Sequence, residues 1–374
     1  MNEIGQRIEH LLAIPPYGLP PQEQQAALLS LLKDELEYAC SKNPFYRNYI
    51  EHWPVHTSSA HRISDLPYLP VGLLKAQPHL SLVEPQEIKR VLTSSSTTGQ
   101  MPSRIALDSP TARRMTKGVV AIAQDFIGSS RRPYLVVDVP GSTRGGPELG
   151  TRGAAIQGLQ PFAREVTYCL ELDPNGDLTL NRNKLLHLAE SQGSSPVLVY
   201  GFTYILWKYL VKPLIAENIS LGIPNIHVLH SGGWKLLQAE AVDKKSFNNG
   251  VARVFGCSAD RVIDFYGMVE NVGVIYPDCS EGNKHVPAFA DVLVRNPLTL
   301  EQVSEGEQGI VQVCSVLPTS FPGNLLLTED IAEIVSYDGC RCGRRGTCFR
   351  FVGRVAKSEL RGCGNIDRKR QQAA

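Results

Sequence analysis

Long apolar runs are missing from this chain. No stretch reaches the roughly 18 consecutive apolar residues that a membrane-spanning helix requires, so no segment is expected to cross a bilayer. An excess of charge is missing too. The 38 Lys and Arg face 37 Asp and Glu, and a net charge of +1 offers no electrostatic reason for a nucleic-acid partner or an anionic membrane surface. The opening run Met1-Asn2-Glu3-Ile4-Gly5-Gln6-Arg7 is polar where a secretion signal needs an apolar core. Without such a signal, nine cysteines, an odd number, read as thiols of a reducing cytoplasm, some with metal or catalytic uses. Internal repeats and long low-complexity segments are also lacking.

What is present reads as a globular chain of 374 residues, 43% apolar and 20% charged, long enough for one large domain or two ordinary ones. Residues 1–90 read as helices broken by proline. The strongest is Gln22 to Lys42, with Leu28, Leu29, Leu32, Leu36 and Ala39 as its apolar stripe. Asn43-Pro44 stops it, and Leu66-Pro67-Tyr68-Leu69-Pro70 is an extended, proline-stiffened crossing. Helical patterns at 109–128 and from Tyr204 to Ile215 alternate with strand candidates Tyr134–Val139, Val197–Tyr200 and Ile226–His230. That alternation predicts an α/β fold with a largely parallel sheet and ligand-binding loops beyond the carboxyl ends of its strands. From about Val286 the pattern changes to strands and turns, with Ala290–Val294 and Gly309–Val313 as strands. The glycine-dense loop Pro140 to Pro147 is expected to be mobile, either as the border of a site or, as is commoner for glycine this dense, as plain flexible chain.

The stretch with the most chemical content is Ser94, Ser95, Ser96, Thr97, Thr98, Gly99 and Gln100, which follows the short apolar pair Val91-Leu92. A strand running into a turn rich in hydroxyls and glycine aims backbone N–H groups and hydroxyls at one point, as a phosphate cradle does. It is not a P-loop, because no Gly-Lys-Ser/Thr follows, and such a run alone is more often a solvated loop. Five further stretches come behind it in order. They are His230-Ser231-Gly232-Gly233-Trp234-Lys235, Asp264-Phe265-Tyr266-Gly267-Met268-Val269-Glu270, Leu327-Thr328-Glu329-Asp330, Val352-Gly353-Arg354-Val355-Ala356-Lys357 and Glu359-Leu360-Arg361-Gly362-Cys363.

Taken in this order, these stretches resemble the adenylate-forming superfamily of acyl-CoA synthetases and phenylacetate-CoA ligases. They resemble more closely the acyl-protein synthetases of the bacterial luminescence fatty-acid reductase, over nearly the whole chain. The resemblance implies an α/β fold of layered mixed sheets and helices, and the use of ATP and Mg²⁺. Residues 1–350 would form the ATP- and acid-binding domain. Residues 351–374 would be a hinge remnant and short tail carrying Cys363, without the small C-terminal domain of most members. Ser94 to Gln100 would hold phosphates, with Gly232, Gly233 and Gly267 shaping the nucleotide site. Tyr266 would flank the adenine, Asp330 would accept from the ribose hydroxyls, Arg354 would lie near ribose or phosphate, and Glu270 would bind Mg²⁺. Cys363 would be the acyl acceptor, its thiol activated by Arg361, with Lys235 and His230 as further catalytic candidates. One departure is Ser96, which stands where most members have a glycine, a residue with freer backbone angles.

A second cluster pairs Cys279 and His285 with Cys340 and Cys342, and Cys348 as a spare. Three thiolates and an imidazole suit a closed tetrahedral structural Zn²⁺, and some phenylacetate-CoA ligase relatives carry such a site. Cys169, Cys257 and Cys314 read as buried small hydrophobes. The functional reading is an ATP-dependent ligase that activates a carboxylic acid, fatty by resemblance, and passes it through a cysteine to a partner protein such as a reductase. An acid:CoA ligase and a catalytically weakened adenylate-binding subunit are the alternatives.

Overall fold

A computed structural model of the chain describes residues 3–76, 80–94, 102–143, 148–192, 195–234 and 239–355. Its centre is a sheet with the strand order Tyr276–Pro277, Val262–Tyr266, Ile226–Ser231, Val197–Phe202, Arg132–Val136, Ala163–Tyr168. All neighbours run parallel except Tyr276–Pro277. Arg132–Val136 and Val197–Phe202 are buried at every position, as central strands covered on both faces must be. The strand expected at Tyr134–Val139 starts two residues earlier and ends at Val136, where Asp138 turns the backbone by accepting from the Val139 N–H.

Helices flank this sheet. Ser109–Ile127 is capped by Asp108, whose carboxylate accepts from the Thr111 N–H, and it ends at Gly128 with φ +77°. The helix expected from Tyr204 to Ile215 is interrupted, with Leu206–Val211 widened to a π-helix between the short turns Thr203–Ile205 and Lys212–Ala216. Pro213 has no N–H to return to the carbonyl of Tyr209, and the ladder loosens there.

The second layer is antiparallel, in the order Lys284–His285, Cys348–Arg354, Leu325–Ser336, Gln308–Ser315, Ala290–Arg295. The proline-stiffened crossing docks onto it, with Leu69–Pro70 parallel to Leu326–Leu327. The helical start of the chain is therefore part of the same body. Pro21–Lys42 buries Leu28, Leu31, Leu32, Leu36 and Ala39 in one core with the antiparallel sheet, and Leu31 takes the place expected of the half-buried Leu29. The boundary expected at residue 350 falls inside the strand Cys348–Arg354. A small sheet joins Arg90–Thr93 to Arg104–Leu107 and Glu148–Gly150. Among the described residues, no helix is long and apolar enough to cross a membrane.

Candidate active site

The stretches that begin at His230 and at Asp264 leave the carboxyl edge of the parallel sheet, the hydroxyl-rich turn follows a strand of the small sheet, and Asp330 and Arg354 stand on strands of the antiparallel sheet. Ser231 and Phe265 are register partners, so Gly232 and Tyr266 emerge side by side. Gly232 has φ +79°, and a Cβ there would stand 2.8 Å from Cδ1 of Phe202. Only glycine fits that turn. Gly233 faces open space, and Gly267 is exposed on the neighbouring loop.

Behind these turns His230 is buried, with Nδ1 2.9 Å from Oγ1 of Thr203. The Thr203 hydroxyl donates to the Ser231 carbonyl at 3.1 Å. That assigns the His230 proton to Nδ1 and leaves the lone pair on Nε2, which is buried with no hydrogen-bond partner. Burial lowers the imidazole pKa against the opposing pull of Asp264, so His230 is neutral near pH 7.

Asp264, one pair across from His230, belongs to an ion network. Lys284 is buried and donates to Asp264 at 2.9 Å and to Asp278 at 3.1 Å. Burial alone would lower the Lys284 pKa, but the two carboxylates outweigh it and hold the amine above its ordinary value. For Asp264, burial pushes up while Lys284 and His230 pull down, and the net direction is down. Lys244 adds an ion pair at 2.7 Å to Oδ2 of Asp278, at an angle that is not that of a hydrogen bond.

The expected nucleotide residues meet. Tyr266 donates its hydroxyl to Asp330 at 2.8 Å, and Nε of Arg354 donates to the other Asp330 oxygen at 3.0 Å. Asp330 and Arg354 are cross-strand partners, so the strand pairing sets their contact. Glu270 is buried at 4% exposure on the loop after Tyr266, and no donor or cation among the described residues meets its carboxylate. A carboxylate at this turn with no protein cation paired to it among the described residues fits a hard cation such as Mg²⁺. Ser94 closes the neck of the hydroxyl-rich turn: its N–H donates to the Ser103 carbonyl at 3.1 Å, and its hydroxyl accepts from the Ser103 N–H at 2.8 Å. Ser95, Ser96, Thr97, Thr98, Gly99, Gln100, Lys235, Arg361 and Cys363 lie outside the described residues.

The cysteine cluster also assembles. The ligand atoms of Cys279, His285, Cys340 and Cys342 lie within 4.8 Å of one another. Cys279 and Cys340 sulfurs are 3.9 Å apart, and Sγ of Cys342 is 3.2 Å from Nε2 of His285. Tetrahedral zinc with bonds of about 2.3 Å to sulfur and 2.0 Å to nitrogen sets these separations at roughly 3.8 and 3.5 Å, so the donor set fits the ion. The spare, Cys348, is outside the four-donor group and buried, its thiol pushed up to about 12 by burial and by Cys340. The Arg344 guanidinium lies 3.9 Å over Phe126 and pairs with Asp125, tying this knuckle to the helix Ser109–Ile127.

Thr203, Asp264, Asp278 and Lys284 were not singled out in the sequence. Asp264 stands within a motif, but nothing local shows that a lysine 20 residues on will reach it. A groove of about 410 Å³ on the helical flank, lined by Gln6, Arg7, His10, Leu11, Ala27, Ser30 and Leu31, holds none of the site residues.

Two curated relatives are long-chain-fatty-acid–luciferin-component ligases. The one from Aliivibrio fischeri is 25% identical over 84% of this chain and 80% of its own length. The one from Vibrio harveyi is 24% identical over 91% and 87%. Among solved structures, an open conformation of 2-hydroxyisobutyryl-CoA ligase in complex with 2-HIB-AMP and CoA superimposes with a TM-score of 0.69. It is 18% identical and covers 92% of this chain and 77% of its own, a likeness of fold. The family model described as acyl-protein synthetase, LuxE, matches residues 4–370, and the chain belongs to that family.

Proposed function

We propose that the chain activates a long-chain carboxylic acid with ATP and transfers the acyl group to a protein thiol. The observation that carries this reading is the Tyr266–Asp330–Arg354 group, set at the carboxyl edge of the parallel sheet in a chain of this family. In the first step a carboxylate oxygen attacks the α-phosphorus, the bond to the bridging oxygen breaks, and pyrophosphate leaves. In the second the Cys363 thiolate attacks the acyl carbonyl and AMP leaves. A thiol on the partner then takes the acyl group by thioester exchange.

The residues would act mainly by positioning and by neutralising charge. Asp330 offers carboxylate oxygens to the ribose diol, and Arg354, 71% exposed at its side chain, can turn to ribose or phosphate. The turn from Ser94 to Gln100 supplies donors to the phosphates. Mg²⁺, when bound at Glu270, would neutralise phosphate charge. His230 is held neutral, and its Nε2 offers an acceptor beside the reacting edge. Zn²⁺ at Cys279, His285, Cys340 and Cys342 would be structural, since four protein ligands leave no position for substrate. The long-chain acid and the protein acceptor are supported by the names of the two relatives, whose acceptor is a luciferin component. A reductase that releases the acyl group as an aldehyde is the partner class proposed.

The test is incubation with Mg-ATP and a panel of fatty and aromatic acids, followed by intact-protein mass spectrometry. A mass increase matching one acid, absent in Cys363→Ser while pyrophosphate exchange persists, is the expected result. AMP release that appears only when CoA is added would refute protein acylation in favour of the CoA ligase.

A further inference from the structure

Tyr266, the residue proposed to flank the base, already has an aromatic neighbour. The Phe351 ring stacks on it with centroids 5.2 Å apart and planes 24° from parallel. Tyr276 stacks at 5.9 Å and 26°, and Phe349 meets the ring edge-on at 6.2 Å. Tyr276 and Phe349 are fully buried and fixed in the core, whereas Phe351 keeps 39% of its surface exposed. Of the three, Phe351 alone has solvent to move into.

Simple strand alternation would not put Phe351 there. From Arg354, a period of two places Val352 and Arg350 on the face of Asp330. The register instead slips: Asp330 pairs with Arg354, Ile331 with Gly353, and then Ala332 with Phe351. Val352 bulges out, 48% exposed, and Phe351 comes onto the same face as Arg354 and Asp330. A bulge that re-aims a side chain beside a site is a recurrent use of that irregularity. One face thus carries an acceptor for a vicinal diol and, one step along the strand, two flat rings.

We infer that Phe351 is the movable wall of the base site, and that the adenine is held between it and Tyr266. This inference rests on the adenylation reading above. The ring closes on Tyr266 in the free chain. It swings into solvent to admit the base, opening the centroid gap from 5.2 Å to roughly 7 Å, twice a van der Waals contact. It then stacks on the outer face of the base.

The test measures binding of Mg-ATP and Mg-CTP to the full chain by calorimetry for the wild type, Phe351→Ala, Phe351→Leu and Phe351→Trp. Loss of one base-stacking ring is expected to weaken ATP binding about tenfold in the Ala and Leu variants. CTP, with the smaller base face, loses less, so the preference for ATP narrows, and Trp restores it. The Leu variant keeps apolar bulk on the strand, so the comparison survives if Ala unfolds. Unchanged or tighter ATP binding without the ring would overturn the inference, as would equal losses for both nucleotides. A wild-type chain that binds no nucleotide would instead overturn the adenylation reading, and this inference with it.

Discussion

Lys284→Met tests whether the buried ion network holds the active edge together. Lys284 has a side chain 4% exposed and sits 2.9 Å from Asp264 and 3.1 Å from Asp278, whose own side chains are 29% and 8% exposed. At an effective dielectric near 20, each contact is worth about 5–6 kcal/mol of gross attraction. Desolvating the ammonium and two carboxylates cancels several kcal/mol of that. Methionine fills the volume but leaves Asp264 with the neutral His230 and the longer-range pull of Lys244, while Asp278 keeps its ion pair with Lys244. Removing one partner of a buried pair typically costs about 3–5 kcal/mol, most of it from the stranded charge. We therefore expect the unfolding free energy to fall by that amount, read as a lower denaturant midpoint at an unchanged slope. Lys284→Met combined with Asp264→Asn should recover a large part of the loss, because the stranded charge is gone. A single-variant loss below about 1 kcal/mol, or a double variant that costs the sum of the two singles, would refute the account.

Other predictions follow from single positions. Gly232→Ala should lower thermal stability by about 1–3 kcal/mol, since it combines φ +79° with a Cβ 2.8 Å from Phe202; a neutral result in thermal unfolding would mean the turn can relax. Asp291 is buried and its pKa is raised to about 6 by burial, against hydrogen bonds from Gln25 and the Val292 N–H. The folded chain then keeps this proton up to about pH 6 while the unfolded chain releases it near 4, so stability should fall by about 3 kcal/mol over that window and flatten above it. Asp291→Asn should remove the slope, which chemical denaturation at several pH values will read. The purified chain should carry one zinc per molecule by elemental analysis, and Cys340→Ser should lose it; a metal-free wild type would remove the structural zinc.

The cysteine cluster shows how far spacing reaches. Cys340-x-Cys342 in a glycine-rich knuckle is a local pattern of metal ligands, and Cys279 with His285 is another. Only the pairing of Lys284–His285 with Cys348–Phe349 brings the two pairs to one point. Asp330 and Arg354 behave alike: each stood in a recognisable run, but their contact depends on adjacent antiparallel strands. Phe351 was invisible beforehand because it reaches the site only through a register slip, and slips have no period to detect.

What this chain's sequence determined by itself was local. Apolar alternation and runs marked the buried strands, proline and glycine marked the stops, and the ordered motifs carried the family and its chemistry. Tertiary structure decided what depends on meeting at a distance. It set Lys284 between two aspartates, placed Tyr266, Asp330 and Arg354 in one hydrogen-bonded group, and tied the helical start of the chain to the last sheet through Leu69–Pro70. The reason is physical: hydrophobic periodicity depends on neighbours a few residues apart. Ion pairs and cross-strand contacts between residues 20 to some 260 positions apart are selected only when the whole core closes.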